Sequence, residues 1–260
     1  MLNVSKPILH KILKNGLTQS EFNSYFLFDD NESLTLDILA SQGLRLFKKD
    51  DHFYLPAFEE KISKQVFCIV DIETNGSKKD RDQVIEIGAV KIQGKKTLGT
   101  FNTLIKADIL PTVISELTGI TLDELFDAPS LKSVMHDFRL FLADSIFVAH
   151  ALKFDYEFIS EMFERADLGQ MLNPGLCTID LAERTFSSAK YGLSYLNKTL
   201  HFEKTFQQHR ALNDAKITQE IFRYSLKRLP RDIKSTGMLI KFSKEQKRMP
   251  KAPLIIFEEA

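Results

Sequence analysis

The stretch that most constrains this chain is Val66-Phe67-Cys68-Ile69-Val70, followed at once by Asp71-Ile72-Glu73-Thr74-Asn75-Gly76. Five apolar residues with β-branched types among them and no breaker read as a buried strand. Side chains alternate faces along a strand, so Asp71 and Glu73 project the same way at its end. Two carboxylates side by side at the edge of a core repel each other and resist desolvation. A hard cation such as Mg²⁺ or Mn²⁺ relieves both problems. Taken alone, the stretch is equally open to a plainer reading, a surface strand end with two solvated acids.

At 260 residues, 43% of them hydrophobic, the chain can bury one large core, or one large and one small. Lys and Arg balance Asp and Glu at 35 each, so global charge points to no polyanion partner. The balance hides an asymmetry: residues 1–60 carry net −3, residues 227–260 net +5. Cys68 and Cys177 are the only cysteines, lack metal-ligand spacing and sit among apolar neighbours, which suggests buried free thiols in a reducing compartment. With no signal-like leader and no apolar run near 18 residues, the expectation is a cytoplasmic protein without membrane contact. The Asn-x-Ser/Thr triplets at Asn3, Asn31 and Asn197 then carry no meaning.

Residues 6–15 form an apolar-faced helix stopped by Gly16. Thr18 and Glu21 have capping-box spacing for a second helix, and Ser33 is placed to cap a third, running towards Gly43. Leu44–Phe47 and His52–Leu55, separated by polar Lys48–Asp51, read as a hairpin. Three helices and a hairpin give residues 1–60 the pattern of a winged helix. The third helix of that fold usually meets DNA, but here it holds Asp37 and no Lys or Arg between Ser33 and Gln42. Phosphate contact needs cations, so a protein-contact or structural role fits better.

Pro56 and the charged stretch Glu59–Lys64 mark a boundary. Beyond it, strands over Val66–Val70, Gln83–Ile92 and Thr97–Ile105 make an antiparallel meander. Gly94-Lys95-Lys96-Thr97 is not a phosphate loop, since Gly88 is one residue too far upstream and the segment joins two strands. Helices are expected over 113–117, 122–126 and 131–142, then a strand over Ile146–Ala149 and a helix carrying the stripe Phe154, Phe158, Ile159, Met162, Phe163. A last strand over Leu176–Ile179 and helices over 180–186, 193–200 and 211–229 complete an α/β domain with a mixed sheet.

Four further residues stand out. His150 and Asp155 follow a buried strand, and His209 and Asp214 flank the start of the last long helix. Singly each has a structural explanation, because an Asp in a first helical turn complements the macrodipole. Together with Asp71 and Glu73 they all lie at element ends, where one cleft can gather them.

In order and context these residues form three motifs: Asp71-Ile-Glu73-Thr-Asn-Gly76, His150-Ala-Leu-Lys-Phe-Asp155 and His209-Arg-Ala-Leu-Asn-Asp214-Ala215. The chain thereby resembles, over roughly residues 65–228, the DEDDh group of 3′–5′ exonucleases, and within it the proofreading ε subunits of bacterial DNA polymerase III and their relatives. Ser115–Thr121 is similar to the group's substrate-side segment. The resemblance implies an RNase H-like sheet flanked by helices over residues 65–228; by their own pattern and charge, a winged-helix-like domain over 1–60 precedes it and a basic tail over 229–260 follows. The resemblance also implies that Asp71, Glu73, Asp155 and Asp214 hold two Mg²⁺ or Mn²⁺ ions and that His209 is the general base. Such a site hydrolyses the terminal phosphodiester of a DNA 3′ end and releases nucleoside 5′-monophosphates.

Thr74, Asn75 and Gly76 are expected near the terminal sugar, and Leu117, Gly119 and Ile120 against the last base. His150 would support its loop or touch backbone phosphate. Two departures from the group's pattern are Ala151, where Asn commonly follows the motif-two His, and Asn75, where Thr is commoner. RNA 3′-end trimming by the same chemistry, and an inert binding module, are the alternatives. Three readings are open for residues 230–260, with their Pro253–Phe257 apolar plug: an anchor for a polymerase catalytic subunit, packing on the chain's own domain, or contact with nucleic acid.

Overall fold

The computed structural model describes residues 4–26, 28–202 and 209–253. Its N-terminal unit comprises α1 (Lys6–Asn15), β1 (Leu17–Thr18), α2 (Gln19–Phe26), α3 (Glu32–Ser41), β2 (Phe47–Lys49) and β3 (His52–Tyr54). The strands form an antiparallel sheet in the order β1-β3-β2. Phe22 stacks on Phe53 at 4.0 Å between ring centres, joining helix to sheet over a core with Leu17, Leu39 and Leu44. Thr18 and Glu21 exchange their capping-box bonds as the spacing predicts.

Three local expectations are corrected here. The cap of α3 is Asn31, whose side chain accepts from the Leu34 N–H at 3.0 Å, so Ser33 lies inside the helix. The hairpin is shorter: Lys48 and Lys49 belong to β2, and left-handed Asp50 makes the turn. Leu44 and Leu46 are buried outside any strand.

The larger unit is built on a five-stranded sheet in the order β6-β5-β4-β7-β8, comprising β4 (Val66–Thr74), β5 (Val84–Gln93), β6 (Lys96–Leu104), β7 (Ile146–Ala149) and β8 (Gly175–Cys177). Strands β4, β5 and β6 are the antiparallel meander, while β7 and β8 run parallel to β4, giving a mixed sheet. The helices are α4 (Thr112–Thr118), α5 (Leu122–Asp127), α6 (Leu131–Leu142), α7 (Leu152–Arg165), α8 (Thr178–Thr185), α9 (Leu193–Leu200), α10 (Ala211–Leu226) and α11 (Thr236–Phe242).

Both faces of the sheet are covered, which is why β5 is buried almost throughout and alternates so poorly in sequence. Cys68, Val70, Ile72 and Ala89 pack against Phe138 of α6 and Phe158, Ile159 and Met162 of α7. Phe67, Ile69, Val90 and Val148 meet Leu181 of α8, Phe222 of α10 and Leu239 of α11. Each such fully buried aromatic or aliphatic side chain contributes about 1.5–3 kcal/mol. By strand parity, Asp71 and Glu73 continue the Phe67–Ile69 face, the one α10 covers.

The stretch read as a tail contributes to this core. Helix α11 is capped by Ser235, and its start is tied to the boundary segment by Thr236 N–H donating to Glu60 O at 3.0 Å. Further on, Met249 N–H donates to Glu183 O at 2.7 Å. Residues 230–249 therefore pack on their own domain, and Leu254–Phe257 lie outside the described residues. Cys177 is half-buried, not fully buried like Cys68.

A buried cation lies where the two units meet. Arg139 of α6 donates to Gln42 O at 3.2 Å and to the carbonyls of Leu168, Gly169 and Gln170 at 3.1–3.4 Å, with its guanidinium 3.6 Å from the Phe163 ring centre. Leu172 N–H donates to Gln42 O at 2.8 Å, and Leu172 itself completes the N-terminal core.

Candidate active site

The candidate acids gather where β4 ends and where α7 and α10 begin. Asp71 and Glu73 come from β4, Asp155 from the first turn of α7 and Asp214 from the first turn of α10. Asp155 and Asp214 are only 5% and 6% exposed. Ligand atoms of Glu73, His209 and Asp214 lie within 4.8 Å of one another. His209 takes a left-handed backbone (φ 60°) and donates its N–H to Asp214 Oδ2 at 3.1 Å.

Gly88 lies opposite Asp71 in the ladder. A Cβ there would stand 2.0 Å from Leu212 N, so only glycine lets the start of α10 settle onto the sheet beside the acids.

The electrostatics are those of crowded, desolvated acids. Burial pushes Asp71 well above the carboxylate range, and the charges of Asp155, Asp214, Glu73 and Glu86 push the same way. Burial, with Asp214 and Glu86 nearby, raises Glu73 to about 8, against the pull of Arg210. Burial raises Asp214 to about 6 despite the His209 N–H. Asp155 is raised by burial, partly offset by backbone N–H groups of Asp155 and Ile72.

Among the described residues Asp214 Oδ1 is buried with no hydrogen-bond partner. A buried carboxylate oxygen left bare among other acids is costly unless a cation meets it. The carboxylates offer hard oxygen donors, which suit Mg²⁺ or Mn²⁺.

Among the other expected contacts, Thr74 Oγ1 donates to Gly76 O at 2.6 Å and closes the turn after β4. Asn75 is occupied within the protein: its Oδ1 accepts from Gln83 N–H at 2.8 Å and its Nδ2 donates to Ile109 O at 3.0 Å. Leu117 is 51% exposed and available to a ligand. Ile120 is not; it is 1% exposed and packs with Ile85, Ala107 and Leu125. Gly119 has φ 74° and ends α4 as a left-handed cap, which accounts for glycine there without a ligand.

His150 has both ring nitrogens engaged, Nε2 at 2.8 Å from Tyr191 O and Nδ1 at 2.8 Å from Thr178 Oγ1. A carbonyl only accepts, so Nε2 carries the proton. Burial lowers this imidazole to about 4, keeping it neutral. Ala151 is left-handed (φ 74°), a conformation Asn adopts more readily than Ala.

Sequence reasoning missed Glu86. It is 1% exposed, faces Glu73 across the ladder and holds Arg210. The available signal was a single acid inside the apolar run Val84-Ile85-Glu86-Ile87.

The family model for RNase_T, described as Exonuclease, matches residues 68–222. The chain belongs to the exonuclease family. The DNA polymerase III subunit epsilon of Aquifex aeolicus is 35% identical over 158 residues, 60% of this chain and 78% of that protein. The PolC-type DNA polymerase III of Thermotoga maritima is 37% identical over 157 residues, again 60% of this chain but only 11% of the polymerase. Among solved structures, E. coli ExoI bound to single-stranded DNA superposes with a TM-score of 0.57 at 19% identity, over 65% of this chain and 42% of that one. Exonuclease X in complex with 5′-overhanging duplex DNA gives 0.54 at 22%, over 68% and 99%. These two likenesses establish the RNase H-like exonuclease fold, with its mixed sheet flanked by helices. Among the described residues no helix is long and apolar enough to cross a membrane.

Proposed function

We propose that this exonuclease-family chain is a metal-dependent 3′–5′ exonuclease that removes the terminal nucleotide of DNA as a 5′-monophosphate, in the service of replicative proofreading. The observation that carries the reading is the grouping of Glu73, His209 and Asp214 within 4.8 Å of one another, with Asp71 and Asp155 close enough to raise or be raised by these acids and with Asp214 Oδ1 bare among the described residues.

Divalent cations, Mg²⁺ or Mn²⁺, supply charge stabilisation of the attacking and leaving oxygens when bound there. The four carboxylates hold them, two ions to four negative charges. His209, beside Glu73 and Asp214, accepts the proton of the attacking water. The water oxygen bonds to phosphorus, the P–O3′ bond breaks, and the shortened strand keeps its 3′ oxygen as a hydroxyl. His150, neutral and doubly bonded, holds the motif-two loop that presents Asp155. Exposed Leu117 offers an apolar surface for the terminal base, and the Thr74–Gly76 turn shapes the approach of the terminal sugar. DNA is favoured as substrate because the relatives at 35–37% identity are DNA polymerase III proteins.

The test is product analysis with a 3′-mismatched primer–template, its paired counterpart and a single-stranded RNA. Release of 5′-dNMP that is fastest at the mismatch supports the reading; faster release of 5′-NMP from RNA moves the substrate to RNA. A polymerase partner reached through the last residues is tested by co-purification before and after deleting 250–260, which spares α11. Unchanged co-purification removes the anchor reading.

A further inference from the structure

Glu86 holds three donors at the start of α10. Arg210 Nε stands 3.2 Å from its Oε1, Arg210 Nη2 stands 3.0 Å from the same oxygen, and Ala211 N–H donates to Oε2 at 3.1 Å. Capping a helix does not require this. A Ser, Asn or Asp at the N-cap does the same from its own chain, yet the N-cap here is Arg210, with no side-chain cap of its own. The acceptor comes instead from β5, as a buried side chain placed directly opposite Glu73 and adding a fifth acidic residue to the cleft. That is an electrostatically unfavourable place for a simple cap, and the Arg210 cation makes it tenable.

The grip fixes the backbone immediately after His209. On the other side, the His209 N–H is held by Asp214. The left-handed His209 is thus pinned from both directions, and α10 is tied to the strand that pairs with β4.

We propose that Glu86, through Arg210 and the Ala211 N–H, is a positioning residue for the reaction: it sets where His209 and Asp214 stand relative to Asp71 and Glu73. The proposal rests on the exonuclease reading of the cleft. It concerns neither metal ligation by Glu86 nor contact with DNA, since the side chain is enclosed and already bonded.

The experiment compares the full chain with Glu86→Gln, Arg210→Gln and the double variant, which leaves no unpaired buried charge. Steady-state exonuclease kinetics on single-stranded DNA at saturating Mn²⁺, Mn²⁺ titration by calorimetry and thermal midpoints are measured for each. Each single variant is expected to lose about 10–100-fold in kcat with KM within about twofold, because a small misplacement of a reacting group is costly in rate. Mn²⁺ affinity is expected to fall about tenfold, as for other residues that orient ligands. The double variant is expected to match the worse single variant, since the two side chains act as one device.

Variants with wild-type kcat and wild-type Mn²⁺ affinity overturn the proposal. So do losses that multiply in the double variant, or losses accounted for entirely by a lowered folded fraction. If the wild-type chain binds Mn²⁺ but does not degrade DNA, the exonuclease reading fails while the Mn²⁺ titrations still judge the clamp.

Discussion

Two places in this molecule bury charge, and they do so in opposite ways. At the junction of the two units, Arg139 is 8% exposed and among the described residues has no acid partner, yet four carbonyl oxygens and the face of Phe163 surround it, with Nε left without a partner there. In the cleft, four carboxylates crowd together, their protons are held abnormally tightly, and an Asp214 oxygen has nothing to accept from among the described residues. The first is a charge whose needs the protein meets itself, as structural charges require. The second is a set of acids whose needs the described residues leave unmet, which is what singles it out as the candidate site.

The sharpest way to break that contrast is to neutralise each site. Asp71→Asn is expected to lower the exonuclease rate on the order of 10³-fold, a loss typical of removing a group that stabilises transition-state charge. The metal-free protein is expected to melt no lower than wild type, since a desolvated acid crowded by other acids has gone. Arg139→Met is expected to do the reverse. It strands carbonyls that had a charged donor and costs about 3 kcal/mol of stability, read by denaturant unfolding. The rate per folded molecule stays at the wild-type value. A catalytic loss in Arg139→Met without loss of stability, or a destabilised metal-free Asp71→Asn, would erase the distinction.

The pH dependence of stability sharpens it further. Without divalent cation, Glu73 (about 8) and Asp214 (about 6) keep protons that unfolded carboxylates release near pH 4. The folded state therefore binds more protons in that window, and stability falls as pH rises from about 4 to about 8. His150, lowered to about 4, acts with the opposite sign, its contribution being lost as pH falls from about 6.5 towards 4. Melting curves in EDTA are expected to drop towards alkaline pH, and Mn²⁺ to restore more stability at pH 8 than at pH 6. A flat EDTA profile would mean that the acids are not strained.

The smallest expected effect is at Ala151, whose left-handed backbone costs an alanine about 1 kcal/mol. Ala151→Asn is expected to stabilise the protein by about 0.5–1 kcal/mol in denaturant unfolding without altering the rate. A destabilised variant would show that something other than backbone conformation sets this position.

Much of the cleft was legible because its signals are local. An apolar strand running into Asp71 and Glu73, and Asp155 and Asp214 each in a first helical turn, can be read within a dozen residues. What escaped depends on distant partners. Nothing near Ile120 reveals that Ile85, Ala107 and Leu125 surround it, and nothing near Asn75 shows that Ile109 and Gln83 occupy its amide. Helix α11 looks like part of a basic tail until Phe67 and Leu181 are seen packed around Leu239. Strand β1 has two residues, too few for any period. Glu86 interrupts an apolar run visibly enough, but its purpose lies 124 residues away at Arg210.

The most direct test of the central claim is a time course on a 5′-labelled single DNA strand with Mg²⁺, with EDTA, and with the Asp71→Asn chain. The account expects a ladder shortening one nucleotide at a time from the 3′ end, with 5′-dNMP released, only in the wild type with metal. A strand that stays full length with both Mg²⁺ and Mn²⁺, or one degraded equally well by Asp71→Asn, would contradict it.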